Sequence, residues 1–89
     1  MTNDQIERFL QIKNQKNEPV KVSFKSRKSV VGMFIKTADY DELKSKNFWR
    51  IVGSANLESY RKSRDMNLAR IFNGSEMTRL SVSNEEDND

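Results

Sequence analysis

The sequence predicts a mainly β domain of the α+β class, with one N-terminal helix followed by five short antiparallel strands in a strongly bent sheet or a small open barrel. Three observations support this fold. The chain has 89 residues, a length typical of one domain. After Pro19, short apolar stretches alternate with polar turns. Most connections between these stretches are short, apart from two inserted loops, which is typical of small barrels.

The first segment has the pattern of an amphipathic helix. Thr2 or Asn3 is a suitable N-cap, because a short polar side chain can accept a hydrogen bond from the first turn. Three apolar side chains then follow helical spacing, at Ile6, Phe9 and Leu10. We expect this stripe to pack on the core of the domain itself. The polar run 14–19 ends in a proline and predicts the end of the helix.

Two strands are predicted to form the first hairpin. Val20, Val22 and Phe24 alternate with polar residues, so one face of the first strand is apolar. Residues 30–35 form the second strand, which is apolar on both faces at its centre. Gly32 within it predicts a bend or a bulge. Such a bend allows a small sheet to wrap into a barrel.

The third strand is predicted after a polar loop. Residues 37–46 form this loop, with one helical turn starting at Asp39. Residues 47–52 form the strand, in which Trp49 and Ile51 share a face. Of the two, Trp49 is expected to anchor the core, because a large aromatic side chain buries much apolar surface.

The segment 54–65 allows two interpretations. Ser54 is a candidate cap for a short helix that carries Leu57 and Tyr60 on one face. The alternative is a long basic loop, since three cations crowd its end.

The last two strands are predicted at residues 68–72 and 77–82. Asn73-Gly74 between them is the strongest short hairpin signal in the chain. We therefore expect these two strands to be joined by a tight turn.

The charge of the chain is unevenly distributed. The net charge is +3, but four of the thirteen acidic residues lie within the last five positions. Residues 1–83 carry sixteen basic and nine acidic side chains, a net charge of +7. We therefore divide the chain into one domain, 1–83, and an acidic, disordered tail, 84–89. A basic domain suggests a polyanion as partner, and a lysine-rich surface without a partner is the alternative.

The absent residue types exclude several classes of function. Without cysteine and histidine, the usual ligand sets for zinc, haem and iron–sulfur clusters are missing. The Cys–His and Ser–His–Asp arrangements of nucleophilic catalysis are missing too. We expect neither enzymatic activity, nor a metal, nor a cofactor. The N-terminus has no signal-peptide pattern and no apolar stretch can span a bilayer, so a cytoplasmic protein is expected.

Several residues stand in the order of a known family motif. Gly32, Asp39 and Asn47 follow one another as in the first Sm motif, and the segment 71–77 with its Asn-Gly turn occupies the place of the second. The chain therefore resembles the Sm/LSm family, which includes the bacterial Hfq proteins, over roughly residues 4–82. Asn73 stands where the family has an arginine, and the spacing from Asp39 to Asn47 is longer. SH3-like barrels share the strand glycine and the Asn-Gly turn.

The resemblance implies a single-stranded RNA site at the rim formed by the loops after strands two and four. There, aromatic rings stack on bases, amides bind base edges, and cations bind phosphates. The candidate contacts are Tyr40 and Phe48 for stacking, Asn47 and Asn73 for base edges, the backbone of Gly74 for close approach, and Lys25, Arg27, Lys28, Arg61, Lys62 and Arg64 for phosphates.

Each candidate has a structural alternative. Tyr40 is equally suited to close its loop over the core. The Asn73-Gly74 pair is explained by turn geometry alone, because both residue types tolerate positive φ. Residues 61–64 are explained as a solvated helix face. At the level of the whole domain, the alternative to RNA binding is a protein-interaction or homo-oligomeric scaffold, because Sm-like barrels leave strands four and five as unpaired edges.

Overall fold

A computed structural model describes residues 1–82 of the chain; the predicted acidic tail, 84–89, lies outside the described residues. One N-terminal helix precedes five antiparallel strands, as predicted, and two short helices lie between the strands. The helices are α1 (Asn3–Ile12), α2 (Tyr40–Ser45) and α3 (Leu57–Ser63), and the strands are β1 (Val20–Phe24), β2 (Val30–Phe34), β3 (Phe48–Gly53), β4 (Ala69–Asn73) and β5 (Met77–Val82).

Helix α1 begins at a capping box. The Thr2 hydroxyl accepts a hydrogen bond from the Gln5 backbone, and the Gln5 side chain accepts one from the Thr2 backbone. The predicted apolar stripe packs on the core: Ile6 is fully buried, and Phe9 and Leu10 pack beside it. The N-cap and the docking face are therefore both confirmed.

The five strands form one sheet in the order β4-β3-β2-β1-β5. Every neighbouring pair is antiparallel, and β4 and β5 are the two edges of the sheet. The sheet is therefore open, because its first and last strands in space do not pair.

Of the bend or bulge predicted at Gly32, the bulge is absent. Gly32 lies in regular register, opposite Val20 on one side and Gly53 on the other. The irregularity falls instead between Ser23 and Phe24, where β1 pairs with β5. Gly32 is required because a Cβ there would lie 2.5 Å from the carbonyl oxygen of Val52.

Two apolar clusters cover the two faces of the central strands. Phe34 and Ile51 lie in the larger cluster, together with Trp49 and Ile6 of α1. The smaller cluster contains Met33, Ile35, Val52, Leu57 and Tyr60. The apolar character of β2 on both faces follows from this arrangement, because α1 covers one side and α3 the other.

The segment 54–65 forms a helix rather than a long loop. Leu57 and Tyr60 of α3 are buried as the helical interpretation requires. Ser54 does not cap α3, because it opens a short 3₁₀ turn that precedes the helix. Arg64 ends α3 in the left-handed conformation, with φ of 57°.

The predicted hairpin at Asn73-Gly74 is wrong. Asn73 has φ of −84°, and among residues 1–82 no glycine has positive φ. Residues Gly74–Glu76 form a 3₁₀ turn that carries the chain from one edge of the sheet to the other. The Asn73 side chain accepts hydrogen bonds from the Ser75 backbone and hydroxyl. These bonds stabilise the turn by which Asn73-Gly74 connects the two edge strands.

The glycines provide a test of this packing. Alanine at Gly32 or Gly74 should lower the free energy of unfolding by roughly 1–3 kcal/mol, because a methyl group at either site would overlap neighbouring atoms of the folded domain. At Gly53 a Cβ has no neighbour within 4 Å, and φ of −62° suits any residue. Gly53→Ala should therefore be neutral or stabilising by about 0.5 kcal/mol. Equilibrium urea denaturation measures the free energy of unfolding of the three variants. Equal destabilisation by Gly53→Ala and Gly74→Ala would contradict this description of the packing.

Candidate nucleic-acid interface

Asn47 and Gly74, two of the candidate rim residues, contact each other inside the domain. The Gly74 N–H donates to the Asn47 carbonyl at 2.7 Å. The Asn47 side chain is engaged at both ends: its Oδ1 accepts from Trp49 Nε1 at 2.8 Å, and its Nδ2 donates to the Met1 carbonyl at 2.9 Å. A Cβ on Gly74 would lie 2.6 Å from Ile6 Cδ1 and would also overlap the Asn47 amide. These groups therefore form a structural junction.

A partly buried ion pair positions the start of α2. Arg50 of β3 donates to Asp39 Oδ2 at 2.7 Å, and the Thr37 hydroxyl donates to Asp39 Oδ1. These contacts lower the pKa of Asp39 from 3.8 to about 2, with the Arg50 hydrogen bond as the main cause. The same hydrogen bond raises the pKa of Arg50. Asp39 is the residue before α2, so the ion pair fixes the position of Tyr40, the first residue of that helix.

Helix α2 is also attached to α1. Lys44 forms an ion pair with Glu7, and its carbonyl accepts a hydrogen bond from the Asn3 side chain at 3.1 Å. The hydrogen bond to Glu7 raises the pKa of Lys44. The two helices are thereby held together at the side of the sheet where Tyr40 lies.

Tyr40 packs against the core and also borders an open groove. Its ring meets the Trp49 ring edge-on, with 6.0 Å between centroids. Lys36 and Lys44 lie over the same ring at 5.2 Å and 5.8 Å from its centroid. Burial, followed by the nearby charge of Glu7, raises the pKa of Tyr40. Tyr40 therefore closes its loop over the core, as one interpretation predicted, and keeps a position on the surface.

The groove beside Tyr40, called here the tyrosine groove, has a volume of about 510 Å³. It runs between the end of α1, the end of β2, and helices α2 and α3. Its lining residues are Leu10, Gln11, Asn14, Gln15, Asn17, Met33, Phe34, Ile35, Lys36, Tyr40, Tyr60 and Arg64. The floor is apolar, and the walls carry aromatic, amide and cationic side chains.

The charge in the tyrosine groove is exclusively positive. Lys36 and Arg64 line it, and none of its lining residues is acidic. Arg64 lies over the Tyr60 ring, 5.7 Å from its centroid. The amides of Gln11, Gln15 and Asn17 are exposed, whereas the Asn14 amide is occupied by both backbone groups of Glu18. This combination can bind an anionic ligand that has a flat ring.

The other predicted contacts lie away from this groove. Arg27, in the β1–β2 turn, stacks on Phe24 and Phe72, and its neighbours Lys25 and Lys28 are exposed. On α3, Arg61 is exposed and Lys62 pairs with Glu58 at 3.6 Å. Asn73 binds Ser75, and Phe48 is half-buried at the start of β3. Of the eleven predicted contacts, only Tyr40 and Arg64 meet in the groove.

Sequence reasoning missed Lys36 and placed Tyr60 only on one face of a possible short helix. Lys36 follows the second predicted strand directly, so a cation at the exit of an apolar strand was the available signal. The amides at Gln11, Gln15 and Asn17 surround the predicted helix break and carried no periodic signal. Only the tertiary fold brings this break next to the end of β2.

Comparisons of the chain with protein-family models, with curated proteins and with solved structures find no match. In residues 1–82 no group of three or more acidic, cysteine or histidine side chains could hold a metal ion. Over the same residues, every helix is too short or too polar to cross a bilayer.

The Asp39–Arg50 ion pair predicts a specific pH dependence of stability. The pKa of Asp39 is lower in the folded state, so the pair stabilises the fold above pH 3.8, and this contribution is lost as the pH falls toward 2. Asp39→Asn should therefore lower the melting temperature at pH 7, and its difference from the wild type should shrink as the pH falls through this range. Thermal denaturation followed by circular dichroism measures this difference.

The matched control is Asp41→Asn, which removes an exposed acid from the same helix turn. It should leave the melting temperature nearly unchanged at pH 7. A gap between Asp39→Asn and the wild type that stays constant from pH 7 to pH 2 would contradict the ion-pair account.

Proposed function

We propose that the domain is a non-enzymatic, cytoplasmic module that binds single-stranded RNA in the tyrosine groove. The observation that carries the proposal is the convergence of Tyr40, Lys36 and Arg64 on one groove with an apolar floor and no acidic lining. Single-stranded nucleic acid presents flat bases and a regular row of negative charges. An aromatic ring beside two cations complements both features.

Each group of lining residues has a separate role in binding the RNA. A base stacks on Tyr40 in place of Lys36, which lies over that ring in the free domain, and Trp49 holds the ring on the core side. Lys36 and Arg64 contact the phosphates on either side of that base. The exposed amides of Gln11, Gln15 and Asn17 donate to and accept from base edges. The floor of β2 residues packs against the sugar.

The proposal differs from the predicted rim in the part played by Asn47 and Gly74. Both are occupied by internal hydrogen bonds, so we assign them to the support of the site. The resemblance to Sm proteins adds the expectation that the ligand is RNA rather than DNA. The unpaired edges at β4 and β5 are consistent with that resemblance.

Fluorescence anisotropy of a labelled single-stranded RNA, titrated at two salt concentrations, tests the proposal. Arg64→Gln should weaken binding and reduce the salt slope by about 0.7, because one phosphate contact is lost. Tyr40→Leu should weaken binding roughly ten-fold, whereas Tyr40→Phe keeps the ring and should bind almost like the wild type.

Arg61→Gln is the matched control for Arg64→Gln. It removes the same charge from the same helix, but Arg61 does not line the groove. Its effect on affinity should be small. Equal losses in the two variants would indicate diffuse attraction to a basic surface, and absence of binding at low salt would refute the proposed function.

The second candidate function is homo-oligomeric assembly through the edge strands. Ile71 on the edge strand β4 is 49% exposed, and an exposed apolar residue on an edge strand favours association. In this alternative, β4 of one copy pairs with β5 of the next. The basic charge then has no ligand.

Light scattering distinguishes this alternative. An assembly should give a mass that is a multiple of 10.4 kDa, and Ile71→Glu should reduce it to the monomer. Glutamate is tolerated in the monomer, because position 71 is exposed on an edge strand. Ile12→Glu, an equally drastic change on the exposed end of α1, should leave the mass unchanged. A monomeric wild type at all concentrations would exclude assembly.

A further inference from the structure

A second cleft shares no lining residue with the tyrosine groove. It has a volume of about 390 Å³ and lies between the β1–β2 turn, the 3₁₀ turns before α3 and β4, and strand β4 itself. We call it the arginine cleft, and the residues that matter to the argument are Arg27, Ile51, Asn56, Asn67, Arg70 and Phe72. Its lining contains two arginines and no acidic residue.

The guanidinium of the exposed Arg27 lies over two aromatic rings. Its guanidinium carbon lies 5.2 Å from the centroid of Phe24 and 5.4 Å from that of Phe72. The two rings are themselves in contact, with centroids 5.6 Å apart. A guanidinium stacked on rings keeps its N–H donors in its own plane, so they remain available to a ligand. Arg27 is therefore positioned without using its hydrogen bonds.

Among the described residues, no carboxylate neutralises either arginine of the cleft. Within residues 1–82, no acidic oxygen lies within 4.0 Å of the Arg27 or Arg70 guanidinium, whereas Arg50 pairs with Asp39 at 2.7 Å. Two like charges that line one small cleft repel each other. A bound anion would remove that repulsion and would accept from both groups.

The cleft also provides neutral donors and an apolar surface. Asn56 and Asn67 present exposed side-chain amides, and the Asn56 side chain makes no capping bond to α3. Ile51 and Phe72 are buried beneath them and form an apolar floor. Gly53 leaves open space at one wall, since a Cβ there would touch nothing within 4 Å.

We propose that the arginine cleft binds the phosphate group of a nucleotide, either free or within a nucleic-acid strand. Arg27 and Arg70 donate to the phosphate oxygens from two sides, and the amides of Asn56 and Asn67 donate to the remaining oxygens or to the sugar. The apolar floor contacts the sugar or base. This site does not depend on the tyrosine groove, so it can be present when the proposed function of that groove is wrong.

Nuclear magnetic resonance titration of the full chain tests the site. Three probes are added separately: inorganic phosphate, adenosine monophosphate and a short single-stranded RNA. Saturable shifts should centre on the amides of Arg27, Asn56, Asn67 and Arg70 with all three. Tighter binding of the mononucleotide than of phosphate identifies a nucleotide site, and a further gain with the strand identifies nucleic acid as the source of the phosphate.

Matched variants separate the cleft from the general charge of the domain. Arg27→Gln and Arg70→Gln should each weaken mononucleotide binding at least ten-fold. Lys28→Gln and Arg79→Gln remove the same charge from exposed positions that do not line the cleft, and they should weaken it less than two-fold. The factors correspond to the loss of charge-assisted hydrogen bonds in the first two variants only.

The Arg27→Lys variant distinguishes a loss of binding from a loss of folding. Lysine keeps the positive charge over the two rings and loses the planar pair of donors, so it should bind the mononucleotide less tightly at an unchanged melting temperature. Absence of saturable shifts with all three probes would overturn the proposal. Equal losses in the cleft and control variants, or full affinity in Arg70→Gln, would overturn it as well.

Discussion

The junction of α1, β3 and the turn between β4 and β5 depends on the backbone and side chain of Asn47. Its carbonyl accepts from Gly74, which directly follows β4, so this bond extends the β3–β4 pairing by one residue, and its amide joins Trp49 to Met1. The residue has φ of 62°, a left-handed conformation that asparagine tolerates better than other residues with a Cβ. Because the buried indole N–H has this acceptor as its partner, the junction satisfies a core donor and fixes the crossover turn at the same time.

The position of α1 follows from this junction. The Met1 amino group donates to the carbonyls of Gly74 and Met77, which attaches the start of the helix to the start of β5. Ile6, one turn into the helix, fills the space that a side chain at position 74 would need. With its start fixed there, α1 extends along the sheet so that its last turn and the following loop line the tyrosine groove. The candidate site thus depends on a contact made at the opposite end of the same helix.

Features that depend on local periodicity could be predicted from the sequence, whereas features that depend on contacts between distant residues were missed. The alternation of apolar and polar residues in β1 and the apolar stripe on α1 indicate which side chains are buried. The strand, the helix and its N-cap could therefore be predicted. The Asn73-Gly74 pair could not be predicted correctly, because its conformation is set by Asn47 and Ile6, which are distant in sequence. The groove was missed for the same reason: Tyr40 and Arg64 were recognised as single residues, but only the fold brings them together with Lys36.

The distribution of ion pairs separates structural charges from those available for binding. Among residues 1–82, the two least exposed ion pairs, Lys44 with Glu7 and Arg50 with Asp39, both hold α2 in place. Arg64, Arg27 and Arg70 have no acidic partner over the same residues, yet they line concave surfaces. Solvated cations on a convex surface need no partner, because water screens them. Cations that converge in a groove without acids are different, since each raises the potential felt by the next. The two concave surfaces are therefore where an anionic ligand would gain most from binding this domain.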